Sequence, residues 1–215
     1  MEKKSGKRNA VREAVILAGG KGKRMGGVEK ALLDLQGRPF LDYLLETLSC
    51  FFSKISISTN SPKLYNRYGL SIIEDEFPDK GPMAGILAAL ENIDSDFLFF
   101  VPCDTPLLQK GLIQFILERI DKLKNGLVIE DQNRRLHPLL GVYGKSLAPL
   151  IRKRILDHRL KLQELVAEAN LQILPFEAWK TADPQGISLL NINNRSDYEK
   201  LKNMDIPSDP DAWSP

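Results

Sequence analysis

The cations and carboxylates that could handle a polyphosphate gather at two places in this sequence. The first is Leu17-Ala18-Gly19-Gly20-Lys21-Gly22-Lys23-Arg24-Met25-Gly26-Gly27, with Lys30 soon after. It follows the apolar run Ala14–Ala18, so a strand opens into a glycine-rich loop packed with positive charge. Glycines let backbone N–H groups approach phosphate oxygens without a side chain in the way. Arg24 and Lys30 are then the cations that neutralise the phosphates; the other reading is a surface turn of solvated lysines. A Walker A loop is excluded at this segment, because its Gly-Lys pairs are followed by Gly22 and Arg24 rather than by Ser or Thr. The dinucleotide fingerprint G-x-G-x-x-G is met at Gly20 and Gly22 but finds Met25 at its third position.

The second place is Val101-Pro102-Cys103-Asp104-Thr105-Pro106, directly after the apolar run Phe97–Val101. A carboxylate just past the C-terminal end of a buried strand lies where open α/β sheets bind ligands. Asp is a hard oxygen ligand suited to Mg²⁺, which keeps waters and binds phosphates beside one or two carboxylates. Asp104 could instead cap a helix or turn, with Pro106 opening the helix. Cys103 packs rather than reacts, since no base or cation pair is visible to activate it.

With these residues in view, the stretch LAGGKGKRMGGVEKALLDLQGRP resembles the signature of the nucleoside-triphosphate transferase superfamily. Its Gly26-Gly27-Val28-Glu29-Lys30 portion is similar to the molybdenum cofactor guanylyltransferase family within it. Glu74-Asp75, GPMAGILAAL, FLFFVPCDTPLL, His137-Pro138 and Asn191-Ile192-Asn193 fall in that family's order, from about Glu13 to Leu201. The resemblance implies an α/β three-layer sandwich with a mostly parallel sheet, a Rossmann-like nucleotidyltransferase fold. It also implies transfer of GMP from GTP to the phosphate of molybdopterin, with release of pyrophosphate.

The resemblance further assigns site residues. Leu17, Ala18, Gly19, Lys30, Ser58, Asn60, Asp75 and Asp104 would hold GTP, Ser58 in the aligned slot and Asn60 offering the amide. Arg24, Lys30 and Asp104 would carry catalysis. Asp104 and Asn193 would hold Mg²⁺, although Asn193 could equally make an Asx turn before the last helix. His137 would face the pterin or serve only structure. Arg134, Arg135, Arg159 and Lys161 could meet the acceptor phosphate or be solvated. GTP and molybdopterin are the implied partners, with transient contact with molybdoenzyme maturation proteins and no nucleic acid or membrane, as a monomer or weak oligomer. The alternatives are a relative that uses CTP on the same pterin or on another acceptor, and a nucleotide-binding module without turnover. A dehydrogenase fits worst, given the broken fingerprint.

The elements that must position these residues are readable from hydrophobic periodicity. Leu41, Leu44, Leu45 and Leu48 share one face of a helix over 40–52, and Met83, Ile86, Leu87 and Leu90 mark another after Gly81-Pro82. Leu112, Phe115, Ile116, Ile120 and Leu123 predict a third, and helices are expected near 146–156 and 160–169. Strands are expected at 14–18, 55–59, 70–73, 97–101, 127–129, 139–143, 171–174 and 187–192. Alternation of this kind predicts a parallel sheet with helices on both faces.

Composition agrees. The 215 residues are 43% hydrophobic and 27% charged, enough for one globular core, and a net charge of +2 gives no field for nucleic acid. The basic segment 1–12 reads as a solvated terminus or an arm for nucleic acid or an anionic surface, residues 13–203 as one domain, and 204–215 as a flexible tail. Two cysteines without ligand spacing, and no early apolar stretch long enough for a leader or a span, place the protein in the cytoplasm.

Overall fold

Strand β1 (Glu13–Leu17) is the organising element of the computed structural model, which describes residues 11–19 and 29–204. It runs parallel to β4 (Lys54–Ser58) on one side and to β6 (Phe97–Pro102) on the other. β5 (Ser71–Ile73) lies parallel beyond β4. Past β6 come β8 (Leu136–Gly144), antiparallel to both its neighbours, then β7 (Gly126–Glu130) and β9 (Gln172–Leu174). The sheet order is thus β5-β4-β1-β6-β8-β7-β9, mostly parallel as the sequence implied.

Period-two alternation divides the core into two layers. Along β1, Ala14 and Ile16 face one layer, while Val15 and Leu17 face the other. Phe97, Phe99 and Val101 of β6 alternate with Leu98 and Phe100 in the same way, so β6 is buried on both faces. Helices α1 (Phe40–Ser49) and α3 (Lys110–Leu117) cover the first face. Helices α2 (Pro82–Asn92), α4 (Ala148–Leu156) and α5 (Leu162–Glu168) cover the second. α2 starts with Pro82 in its first turn and is buried from Met83 to Leu90, as a helix wedged between the sheet and α4 must be. Short α6 (Phe176–Trp179) follows β9, and α7 (Arg195–Lys202) packs on a third cluster with Leu35 and Phe40.

The structure differs from the sequence reading at three elements. Ile187–Ile192 is not a strand. Gly186 takes a left-handed conformation, and the buried Asp183 carboxylate accepts the Ile187 and Ser188 N–H groups at 3.0 and 2.8 Å, which curls Ile187–Leu189 into a 3-10 turn. The third helix stops at Leu117; its end tightens as the Arg119 N–H turns to the Ile116 carbonyl, and Ile120–Lys122 form a separate 3-10 turn. A hairpin of β2 (Asp34–Leu35) and β3 (Arg38–Pro39), absent from the periodicity argument, turns on Gln36 and Gly37 at positive φ. Residues 1–10 and 205–215, which carry most of the two predicted tails, lie outside the described residues.

Candidate active site

The chain builds β1, β4 and β5 outward on one side and then crosses to β6, so the strand order reverses beside β1. The carboxyl edge at such a switch point is a crevice with free backbone ends. All the predicted site residues within the described segments that follow parallel strands lie along this edge. Three cross-links close it: the Ala18 N–H donates to the Ser58 carbonyl, Thr59 N–H to Ile73, and Cys103 N–H to Leu17.

At the β4–β5 end the three side chains meet. Ser58 Oγ donates to Asp75 Oδ1 at 3.4 Å and Asn60 Nδ2 donates to Asp75 Oδ2 at 3.3 Å. The hydroxyl and the amide are therefore not rivals; they share one carboxylate. Burial lifts the Asp75 pKa above the usual carboxylate value, opposed by these two hydrogen bonds. A residue not singled out from the sequence, Gly85 of α2, makes the approach possible. A Cβ there would lie 2.5 Å from Ser58 Oγ and 3.2 Å from Leu17 Cδ2. A Cβ on Gly19 would come within 4.0 Å of Asp75 Oδ2, so the end of β1 borders the same cradle.

At the end of β6, Lys30 Nζ donates to Asp104 Oδ2 at 2.8 Å and to Asn193 Oδ1 at 3.2 Å. Asp104 does not cap a helix: α3 begins only at Lys110, with Gln109 as its cap residue. Asn193 is brought in because the Ile192 N–H donates to the Asp104 carbonyl at 3.0 Å. The capping box before α7 belongs to the next residue, Asn194, paired with Asp197, so the Asn193 amide is left to face Lys30. Among the described residues no group of three or more His, Cys, Asp and Glu could hold a metal ion. Asp104 and Asn193 are the oxygen donors that converge on one cation. Arg24 and the glycine-rich loop from Gly20 to Val28 lie outside the described residues.

Burial, with the nearby Asp104 and Glu29 carboxylates, pushes the Cys103 thiol far up, so it is a packing residue. Burial likewise raises the pKa of Glu29, against a smaller opposing effect of the Tyr65 hydroxyl.

Beyond β6 a pocket of about 300 Å³ opens between the start of β8 and the α4–α5 turn. Because β8 is antiparallel to β6, its first residues reach the same edge as Asp104. Pro102, Thr105 and Asn191 form the side nearest Asp104; Arg135, Leu136, His137 and Pro138 form another, and Leu160, Lys161, Leu162 and Gln163 face them. Pro138 sits where the β7–β8 register shifts, a position that needs no ladder N–H. His137 lies within β8 rather than before it, and its Nε2 is 2.9 Å from Asp131 Oδ2 in the β7–β8 turn. Burial opposes ionisation of Asp131, but hydrogen bonds from His137 and from the Arg135 and Asn133 N–H groups hold its pKa below the usual range. Of the four candidate phosphate contacts, Arg135 and Lys161 line the pocket, while Arg159 pairs with Glu168. Asn191 adds a signal the sequence did not isolate: its Oδ1 is buried with no hydrogen-bond partner among the described residues.

Comparison with known proteins joins these features. The family model for the MobA-like NTP transferase domain matches residues 14–172. The chain belongs to this family. A molybdenum cofactor guanylyltransferase of Histophilus somni (strain 129Pt) is 34% identical over 89% of this chain and 96% of its own length. A probable molybdenum cofactor guanylyltransferase of Flavobacterium johnsoniae is 31% identical over 86% of this chain and 94% of its own. The crystal structure of molybdopterin-guanine dinucleotide biosynthesis protein A from Archaeoglobus fulgidus superposes with a TM-score of 0.78 at 26% identity, covering 88% of this chain and 96% of that one. Family membership makes the chain a nucleotidyltransferase and accounts for its mostly parallel sheet.

Proposed function

We propose that this MobA-like NTP transferase moves GMP from GTP to the terminal phosphate of molybdopterin, releasing pyrophosphate and forming molybdopterin guanine dinucleotide. The observation that carries the reading is the order of groups along one sheet edge. The Asp75 cradle lies at β4 and β5, the Lys30–Asp104–Asn193 cluster at β6, and the pocket at β8. A donor nucleotide held at one end and an acceptor at the other would meet over the charged cluster. Relatives named for guanylyl transfer support guanine over cytosine.

Leu17, Ala18 and Gly19 would offer backbone, and Ser58, Asn60 and Asp75 side chains, to the nucleoside. The acceptor pocket joins leucine and proline walls to polar groups such as Thr105, His137, Gln163 and Asn191, which suits a flat heterocycle with polar edges. Asn191 Oδ1 there has no donor among the described residues, and a ring N–H or amino group could supply one. His137 would line the pterin side, held in orientation by Asp131. Arg135 and Lys161 would meet the acceptor phosphate.

Asp104 Oδ2 and Asn193 Oδ1 already share one ammonium, and two hard oxygens so placed fit Mg²⁺ with waters completing its shell. Bound there, Mg²⁺ would neutralise charge on the phosphates as a Lewis acid. Lys30 and Arg24 would neutralise the pyrophosphate as the α-phosphorus–oxygen bond breaks. An oxygen of the acceptor phosphate forms the new bond to the α-phosphorus in line. That phosphate is ionised near neutral pH, so no strong general base is needed and positioning dominates. Among the described residues no helix is long and apolar enough to cross a membrane. We assign the activity to a single domain, residues 13–203.

Pyrophosphate release from GTP with purified molybdopterin and Mg²⁺ tests this reading. Asp104→Asn should lower turnover by about a hundredfold or more while the melting temperature holds. Near-wild-type turnover in that variant would remove the metal role from Asp104.

A further inference from the structure

The wall of the pocket formed by Leu160–Gln163 is the end of the α4–α5 turn and the first residues of α5, with no strand ladder to hold it. What lies beneath it is a charge. Arg154 of α4 is fully buried, and its guanidinium reaches three acceptors on the far side of the turn. Nη2 donates to the Lys161 carbonyl at 3.2 Å and to Glu164 Oε2 at 3.0 Å, and Nη1 donates to Glu168 Oε2 at 2.5 Å. The same Glu168 oxygen accepts from Arg159 Nη2 at 2.8 Å. The Arg154 carbonyl also receives the Arg159 N–H, and His158 takes a left-handed conformation to complete the bend.

We propose that Arg154 is a positioning residue for the acceptor: it fixes the backbone of Lys161, and with it the Leu160–Gln163 wall and the cation that wall presents. A buried guanidinium bridged to carboxylates gains little over apolar packing in net stability, so its effect is on geometry. The Lys161 carbonyl already accepts the Leu165 N–H at 3.2 Å, so Arg154 is a second, side-chain hold on the residue that starts α5. The Lys161 side chain is 81% exposed, and its ammonium lies 3.4 Å from Glu164 Oε1. The backbone is what must be fixed for that side chain to reach an anion reproducibly. Arg154 does not itself line the acceptor pocket, so its action passes through the turn.

The inference rests on the reading of this pocket as the acceptor site, and the experiment separates the two. Steady-state pyrophosphate release is measured with purified molybdopterin varied at saturating GTP, then with GTP varied. In Arg154→Met the KM for molybdopterin should rise about tenfold, the effect of about 1.4 kcal/mol, while the KM for GTP and kcat stay within twofold. Arg154→Lys keeps the charge but cannot span all three acceptors, and should fall between wild type and Met. Should Arg154→Met fail to fold, Glu168→Gln at the exposed end of the bridge carries the test, with a smaller rise in the same constant alone. An unchanged molybdopterin KM, or equal rises in both KM values, overturns the role of Arg154. Leu139→Trp, which fills the pocket directly, is the control: if it leaves the molybdopterin KM unchanged, the acceptor reading itself falls and the inference with it.

Discussion

Replacing Lys30 by alanine should separate catalysis from stability at a single atom. The ammonium sits 2.8 Å from Asp104 Oδ2 and 3.2 Å from Asn193 Oδ1, with the Lys30 and Asp104 side chains 22% and 16% exposed. Two unit charges about 4 Å apart attract by about 4 kcal/mol at an effective dielectric of about 20. Most of that is offset by desolvation and side-chain ordering. Exposed pairs contribute about 0–1 kcal/mol and breaking a fully buried one costs about 3–5. A pair between these limits should contribute about 1–2 kcal/mol, a fall of roughly 3–6 °C in melting temperature for a chain of this size. Loss of a cation that meets charge developing on the leaving group costs about 2.7–4 kcal/mol, or a hundredfold to a thousandfold in rate. Differential scanning fluorimetry and pyrophosphate release on one preparation give both numbers. Lys54→Ala is the charge-matched control, since that lysine is 73% exposed and only 3.9 Å from Glu13 at the start of β4. If Lys30→Ala loses only the activity its folded fraction accounts for, or no more than Lys54→Ala, the catalytic role of Lys30 is refuted.

Two further outcomes follow from the cradle. Asp75 has its pKa raised by burial, so its ionised form costs stability above that pKa and its contribution is favourable only below it. Asp75→Asn should therefore raise the melting temperature near neutral pH, lose that advantage in acid, and weaken GTP binding; a lower melting temperature at neutral pH contradicts the sign. Gly85→Ala favours the helix but puts a Cβ 2.5 Å from Ser58 Oγ, so the Ser58–Asp75 hydrogen bond must break. The KM for GTP should rise roughly tenfold, the value of one hydrogen bond to a charged group, and an unchanged KM in a GTP titration would place the nucleoside elsewhere.

The sequence was most legible where local pattern and burial coincide. Phe97–Val101 had to be a two-faced central strand, and Pro82 after Gly81 had to start a helix, because nothing else satisfies those side chains. Asp75 and Asp104 could be placed for the same reason: each directly follows such a run. The rest was decided by distant groups. Ile187–Ile192 has strand-like residues, yet Asp183 captures its first N–H groups and turns it. Asn193 and Asn194 are adjacent and identical, and only the position of α7 gives the cap to the second. Arg154 was not singled out by the sequence; its burial depends on α5 folding back over α4, which no local spacing encodes. The Asn191 oxygen, without a partner among the described residues, is likewise a property of the assembled pocket.

Base choice at this edge is the central claim, and competition tests it most directly. Purified molybdopterin and Mg²⁺ are incubated with the enzyme and an equimolar mixture of GTP, CTP and ATP, and the pterin product is identified by mass spectrometry. The account predicts the GMP adduct, with one pyrophosphate released per adduct. A product dominated by the CMP adduct, or no pterin adduct while nucleotide still binds, would contradict it.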